Sequence, residues 1–236
     1  STEFNIDWDF KSNFSQNGDT IITDYNKILV IDSNWNILFS KNHTYTRIET
    51  LMISDKVYIV YVWDDDSIVT LGAFNKTNWT EISSKEIDTV NGYADEPYST
   101  FIKEIEWNIY VQFNTAENVN IFWYNYTVKW NINDYNWGGL RDNVLISLDT
   151  SLNVNWATAS HLPYTVQNSG HHAKINDIEL FDNHLYDTGR LLGTCWSKRV
   201  LTLWKTDLSW NNIYHNVTSN SVTNWACWKS LEVGST

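Results

Sequence analysis

The 236-residue sequence predicts an all-β fold in a single domain, and three observations carry that expectation. Short runs rich in Val, Ile, Tyr and Trp recur along the chain: KILVID at 27–32, VYIVYVW at 57–63, VNIFWYNYTVKWNI at 119–132, NVLISL at 143–148 and RVLTLW at 199–204. Each is bounded by Asn, Asp or Ser, which favour turns, so each reads as a strand. No window sustains apolar residues at i, i+3, i+4 and i+7 among helix formers, so little helix is expected. The third observation is an internal repeat.

The segment ILVIDSNWNILF (28–39) matches LISLDTSLNVNW (145–156) position by position, and LWKTDLSWNNIY (203–214) is a third copy. Asp32, Asp149 and Asp207 align, as do Asn36, Asn153 and Asn211, and then Phe39, Trp156 and Tyr214. The three aspartates stand 117 and 58 residues apart, close to two to one. Weaker relatives lie around Phe74–Thr80 and Tyr124–Trp130. Each copy reads as a hairpin in which an apolar strand ends at the Asp, whose carboxylate accepts turn N–H groups, and an aromatic strand returns. A second element, a turn followed by an apolar residue and a tyrosine, recurs as Asp55-Lys56-Val57-Tyr58, Trp107-Asn108-Ile109-Tyr110 and Asn183-His184-Leu185-Tyr186. With only nine glycines and 29 asparagines, turns that need positive φ fall to asparagine. A four-stranded unit of this kind cannot bury both faces alone, and radial stacking of several units buries them and leaves few free edges.

These motifs resemble the degenerate β-propeller repeats of extracellular proteins, in which a turn–apolar–Tyr strand precedes an Asp-containing hairpin. His184-Leu185-Tyr186-Asp187-Thr188-Gly189 followed by Leu203-Trp204-Lys205-Thr206-Asp207 is the nearest match, then Asp149 to Trp156. The resemblance covers about half the chain and implies a propeller-like body of four or five antiparallel blades, with a β-sandwich as the fallback. It implies architecture and little about function. The chain departs from the pattern at the turn glycine, replaced by Asn34, Leu152 or Trp210, and in the spacing between 75 and 149. The terminal stretches 4–10 and 222–228 read as strands that either close a ring or are donated to a neighbour.

Composition sets the surroundings. No Pro-, Gly- or Ser-rich linker divides the chain, and no apolar run approaches the ~20 residues needed to span a bilayer. The only methionine is Met52, so the sequence reads as a processed or trimmed chain. A net charge of −12 repels phosphate backbones and anionic membranes, leaving proteins, cations and neutral glycans as partners. Abundant Asn, 14 Trp and 13 Tyr beside only 16 Lys and Arg fit an extracellular or cell-surface protein.

Candidate sites follow from that location. Cys195 and Cys227 are the only cysteines. In an oxidising compartment they are expected to pair, closing a loop of about 32 residues worth about 3 to 4 kcal/mol, the alternative being two buried thiols. N-glycosylation sequons stand at Asn13, Asn42, Asn75, Asn78, Asn125 and Asn216, a number that Ser- and Thr-rich composition alone would produce. Most tryptophans are expected in the core, leaving Trp79, Trp137, Trp210 and Trp228 as surface candidates for stacking on sugars or anchoring an interface. Asp64-Asp65-Asp66 reads as a solvated turn rather than a Ca²⁺ site, because adjacent carboxylates diverge on an extended chain and no spaced D-x-D-x-[DN]-G loop exists. His171-His172 has no ligand spacing and reads as a polar loop. No nucleophile elbow, phosphate loop or H-E-x-x-H occurs, and no carboxylate pair, Glu104 and Glu106 included, is singled out for glycoside cleavage. The expectation is a non-catalytic extracellular structural or interaction protein without cofactor or metal: a glycosylated subunit of a surface assembly or filament, with self-association or other surface proteins as partners. The alternatives are a carbohydrate-binding, lectin-like module and a glycan-active enzyme.

Overall fold

The computed structural model describes residues 11–15, 17–24, 26–63, 68–89, 100–115, 119–121, 124–126, 142–160, 173–192, 199–207 and 212–217. The described residues are all-β and form four antiparallel sheets, a propeller-like arrangement within the range the repeats predict. Strands β1 (Lys11–Phe14), β2 (Thr20–Thr23), β3 (Lys27–Ile31) and β4 (Ile37–Asn42) make the first sheet. The second contains β5 (Tyr45–Ile53), β6 (Lys56–Trp63), β7 (Val69–Asn75) and β8 (Glu81–Thr89). The third sheet runs β9 (Thr100–Ile105), β10 (Asn108–Thr115), then β13 (Asp142–Leu148) and β14 (Val154–Ser160). A hairpin of β11 (Val119–Ile121) and β12 (Tyr124–Tyr126) is inserted between β10 and β13 and pairs with β8, widening the second sheet to six strands. Strands β15 (Ala173–Phe181), β16 (His184–Leu192), β17 (Arg199–Asp207) and β18 (Asn212–Val217) complete the fourth sheet. The first strands β1, β5, β9 and β15 neighbour one another in chain order.

The repeat is a real structural equivalence. In all three aligned copies the same register slip follows the same residue: Val30 pairs with Phe39 and Ile31 with Ile37, Ser147 with Trp156 and Leu148 with Val154, Lys205 with Tyr214 and Thr206 with Asn212. The weaker relative at Phe74–Thr80 shares it, since Ala73 pairs with Ser83 and Phe74 with Glu81. Every copy is therefore the hairpin between the third and fourth strands of a sheet, closed by a β-bulge. The two-to-one spacing of the aspartates arises because the second sheet, with Asn75 in the Asp position, lies between the first two copies. Tyr124–Tyr126 is not another copy; it belongs to the inserted hairpin, which also accounts for the irregular spacing after residue 75.

Strand alternation explains the long apolar runs. Along β6, Val57, Ile59 and Tyr61 join a cluster with Ile21, Ile28 and Val30 of the first sheet, whereas Tyr58 and Val60 join Ile109, Val111, Phe113 and Ile146 of the third. A strand buried on both faces loses the apolar/polar alternation of a half-exposed strand. The third junction holds Tyr110 and Leu145 against Ile178 and Leu185 of the fourth sheet. Each sheet thus has a leading face, toward the preceding sheet, and a trailing face, toward the next. Burial of each aliphatic side chain is worth about 1.5 to 3 kcal/mol, against about 1 kcal/mol for a hydrogen bond, so apolar packing dominates the junctions. Polar ties run beside it: Lys76 pairs with Asp19, Lys103 with Glu179, and Tyr58 donates to the Thr150 carbonyl at 2.8 Å.

Candidate functional site

The turns joining first to second strands and third to fourth strands lie at one end of each antiparallel sheet. Contacts between sheets bring these ends together, because Lys76 reaches from the third turn of the second sheet to Asp19 in the first turn of the first, and its N–H donates to the Asp55 carbonyl. This turn end is where the repeated motifs gather.

The Asp turns are built alike. Asp32 Oδ1 accepts the N–H groups of Asn34 and Asn36, both at 2.8 Å, and Oδ2 accepts Asn36 Nδ2 at 2.9 Å. Asp149 repeats all three bonds with Ser151 and Asn153. The Asn36 side chain, then its backbone N–H, holds the Asp32 carboxyl below its ordinary value, burial opposing and the Asn34 N–H adding. At Asp149 burial pushes upward most strongly, yet the Asn153 side chain and backbone, the Ser151 N–H and Lys56 outweigh it, and the net shift is downward. In the second sheet Asn75 Oδ1 takes the Asp role, accepting from Thr77 N, Thr77 Oγ1 and Asn78 N.

One residue in each turn adopts the left-handed region: Trp35 at φ 68°, Leu152 at 64° and Trp79 at 56°. Bulky side chains rarely sit there, and the strain has to be offset by packing. Leu152 is 2% exposed and packs in the junction between the second and third sheets, with Val154 beside it. Trp79 is 8% exposed and stacks between Phe39 of the first sheet at 4.6 Å and Phe74 of its own at 5.0 Å. Trp79 is therefore a core residue and not the surface candidate expected; the turn folds its indole inward against the preceding sheet.

Trp35 has no such cover and is 82% exposed. Register places Phe14, Thr20, Ile31 and Ile37 in one row across the first sheet, on its leading face. Phe14 is 68% and Ile37 44% exposed, whereas Ile31 between them in the row and Leu29 farther along the same face are buried. Ile37 is the equivalent of Val154, and Trp35 of Leu152. Among the described residues no sheet packs on this face, and at its turn end Trp35 and Ile37 are exposed where Leu152 and Val154 of the third sheet pack in a junction. Trp107 is a second exposed tryptophan, at 71%, in the two-residue turn between β9 and β10, where Glu106 and Trp107 both have positive φ, as in a type I′ hairpin. Its N–H donates to Glu104 Oε1 at 2.7 Å.

At the opposite end His43 is buried between the first two sheets, with rings stacked in the order His43, Tyr45, Tyr61. Tyr45 N–H donates to Nδ1, and burial, the largest cause, pushes the imidazole below its usual range despite nearby Asp24. Among the described residues no group of three or more His, Cys, Asp or Glu could hold a metal ion.

The remaining expected sites divide by position. Asn42, Asn78 and Asn125 are exposed, Asn75 is half-buried in its turn, and Asn13 is half-buried with Nδ2 donating to the Thr50 carbonyl at 3.2 Å. Cys195, Cys227, Trp137, Trp210, Trp228, the side chain of Asn216, Asp64–Asp66, His171–His172 and the terminal stretches 4–10 and 222–228 lie outside the described residues. Phe14, Trp35, Ile37 and Trp107 were missed by sequence reasoning. The signal for Trp35 was its place as the fourth residue of an Asp-to-Asn turn, the position that Leu152 holds in the next Asp copy.

No helix among the described residues is long and apolar enough to cross a membrane. No protein-family model matches the chain, and a search of curated proteins finds no match. Among solved structures it is similar to a neuraminidase-like protein of A/little yellow-shouldered bat/Guatemala/060/2010, at 10% identity and TM-score 0.44, over 87% of this chain and 57% of that one. It is also similar to Kluyveromyces lactis Hsv2, at 11% identity and TM-score 0.31, over 83% of this chain and 73% of that one. A member of the DUF4221 family from Bacteroides vulgatus gives 11% identity and TM-score 0.32, over 89% and 80%. The chain thus spans less than two thirds of the first of these proteins, and the likenesses carry no functional argument.

Proposed function

We propose that the chain is a non-catalytic, extracellular interaction subunit of a surface assembly, joined to its neighbours through the leading face of the first sheet. The observation that carries this reading is the exposure of Trp35 and Ile37 at positions whose equivalents, Leu152 and Val154, pack inside a sheet-to-sheet junction, with Phe14 exposed in the same row as Ile37. An apolar patch with a strained tryptophan at its tip has the composition of an interface core. The exposed sequons at Asn42, Asn78 and Asn125 suit a glycosylated surface protein. The test is native mass by light scattering, before and after deglycosylation, for the wild type and the Phe14→Ser/Trp35→Asn variant, with recovery of other surface proteins read in parallel. Loss of either association in the variant, at unchanged melting temperature, supports the reading; identical behaviour of both proteins in every channel refutes it.

A second reading, a carbohydrate-binding module, has one observation of its own: Trp107 stands exposed on a type I′ turn with a carboxylate beside it, an arrangement suited to stacking on a sugar ring. Retention on a sugar matrix that Trp107→Asn abolishes would favour it.

A further inference from the structure

We infer that the turn end of the third sheet is a saccharide site, in which Trp107 stacks on a pyranose ring while Asn108 and Asn155 hydrogen-bond adjacent hydroxyls of a neutral sugar. This site rests on the carbohydrate-binding reading and deepens it, adding a polar arm and the class of sugar. The third sheet lies inside the chain, with the second sheet packed on one face and the fourth on the other.

Two departures from the repeat meet at this end. The turns leading into β10 and β16 both place two residues at positive φ, Glu106 (49°) and Trp107 (66°) in one, Asp182 (49°) and Asn183 (55°) in the other. Aspartate and asparagine suit that backbone, and a tryptophan does not. Trp79 and Leu152 offset such strain by burial, but Trp107 is 71% exposed and gains none. An exposed aromatic ring held in a strained turn is a group for a ligand to cover.

The second departure is at the bulge. The residue left unpaired there is Leu38 in the first sheet, Ile82 in the second and Ile213 in the fourth, but Asn155 in the third. Its amide is held in one orientation, with Nδ2 donating to Asn108 Oδ1 at 2.9 Å and to Ser147 Oγ at 3.4 Å. Ser147 is 2% exposed and hydrogen-bonds the Tyr110 side chain. Asn108 Nδ2 donates in turn to the Glu106 carbonyl at 3.2 Å. An amide offers two donor hydrogens and an oxygen with two lone pairs. Both Asn155 hydrogens are thus engaged, and its Oδ1 accepts nothing from the described residues, while Asn108 keeps one N–H. A fixed acceptor beside a fixed donor matches neighbouring ring hydroxyls, and orientation before binding lowers the entropy cost. Glu104, Glu106 and Asp149 stand at the same end of a chain with net charge −12, so acidic sugars are repelled.

The experiment titrates the whole chain, labelled with fluorotryptophan, with the methyl glycosides of glucose, mannose and galactose and with methyl glucuronoside. Fluorine NMR follows the Trp107 line, assigned by its loss in Trp107→Asn, and saturation transfer follows the sugar. A neutral glycoside is expected to shift the Trp107 line saturably, and the glucuronoside to leave it unmoved. Trp107→Asn should abolish binding at an unchanged melt, since asparagine occupies that position in the fourth sheet. Asn155→Leu installs the residue of the first sheet's bulge and should weaken binding about tenfold, the worth of one or two hydrogen bonds. If Asn155→Leu lowers the melt, Asn108→Ala, which removes the donor, takes its place with the same expectation. A sugar that shifts Trp107 yet binds these variants as tightly as the wild type overturns the amide pair and leaves the carbohydrate reading standing. Glucuronoside bound as tightly as the neutral sugars overturns the class of ligand and again leaves that reading standing. If no sugar moves the Trp107 line or gives saturation transfer, both fall.

Discussion

The turns Asp32–Asn36 and Asp149–Asn153 have the same three carboxylate hydrogen bonds, the same positive φ at the fourth residue and the same bulge in the strand that follows. Yet the fourth residue is 82% exposed in one and 2% in the other. Local chemistry builds the turn identically in both places, and the neighbouring sheet decides what its apolar residue does. Beside Asp149 that neighbour is the second sheet, which supplies Tyr58 and Val60; beside Asp32 the described residues supply none.

The comparison can be broken by stability measurements. The largest expected effect is at Leu152, where Leu152→Ala opens a cavity in the junction and costs about 2 to 5 kcal/mol in denaturant unfolding. Trp35→Asn, at the equivalent position, is expected to be neutral or slightly stabilising, because asparagine tolerates positive φ and no packing is lost. Equal costs at the two sites would show that Trp35 is covered in solution.

A smaller effect belongs to Tyr58, whose hydroxyl ties the second sheet to the Asp149 turn and whose pKa is pushed up to about 12 by burial, with Asp55 and Asp149 adding. Tyr58→Phe should cost about 1 kcal/mol, and the loss should shrink when Leu152 is already Ala, since both act at one junction.

The smallest effect concerns acid. Because the folded pKa of Asp149 is depressed, its contribution is complete above the unfolded value of about 3.9 and is lost as pH falls through the folded value. Unfolding curves recorded between pH 5 and about 2 should therefore fall less steeply for Asp149→Asn than for the wild type. Parallel curves would remove the Asp-turn electrostatics from the account.

Much of the architecture was legible in the sequence because strands and Asp turns are local. The alignment of Asp32, Asp149 and Asp207 identified equivalent hairpins down to the bulge, and the turn-apolar-Tyr element marked where second strands begin. The candidate tryptophans were less legible. Trp79 sits among polar residues in sequence and between Phe39 and Phe74 in space, and Phe39 comes from another sheet 40 residues earlier. Sequons were equally opaque: Asn13 and Asn42 carry the same signal, and only the contact with Thr50 separates them.

By itself, then, the sequence determined the period-two strands, the carboxylate-closed turns and their repetition, because these depend on residues within one hairpin's reach. The tertiary structure alone decided which left-handed turn residue is buried, that the β11–β12 hairpin pairs with the second sheet, and that Phe14, Trp35 and Ile37 are exposed together at the turn end of the first sheet. Those outcomes depend on which sheet lies alongside, and burial is a property of the neighbour as much as of the residue.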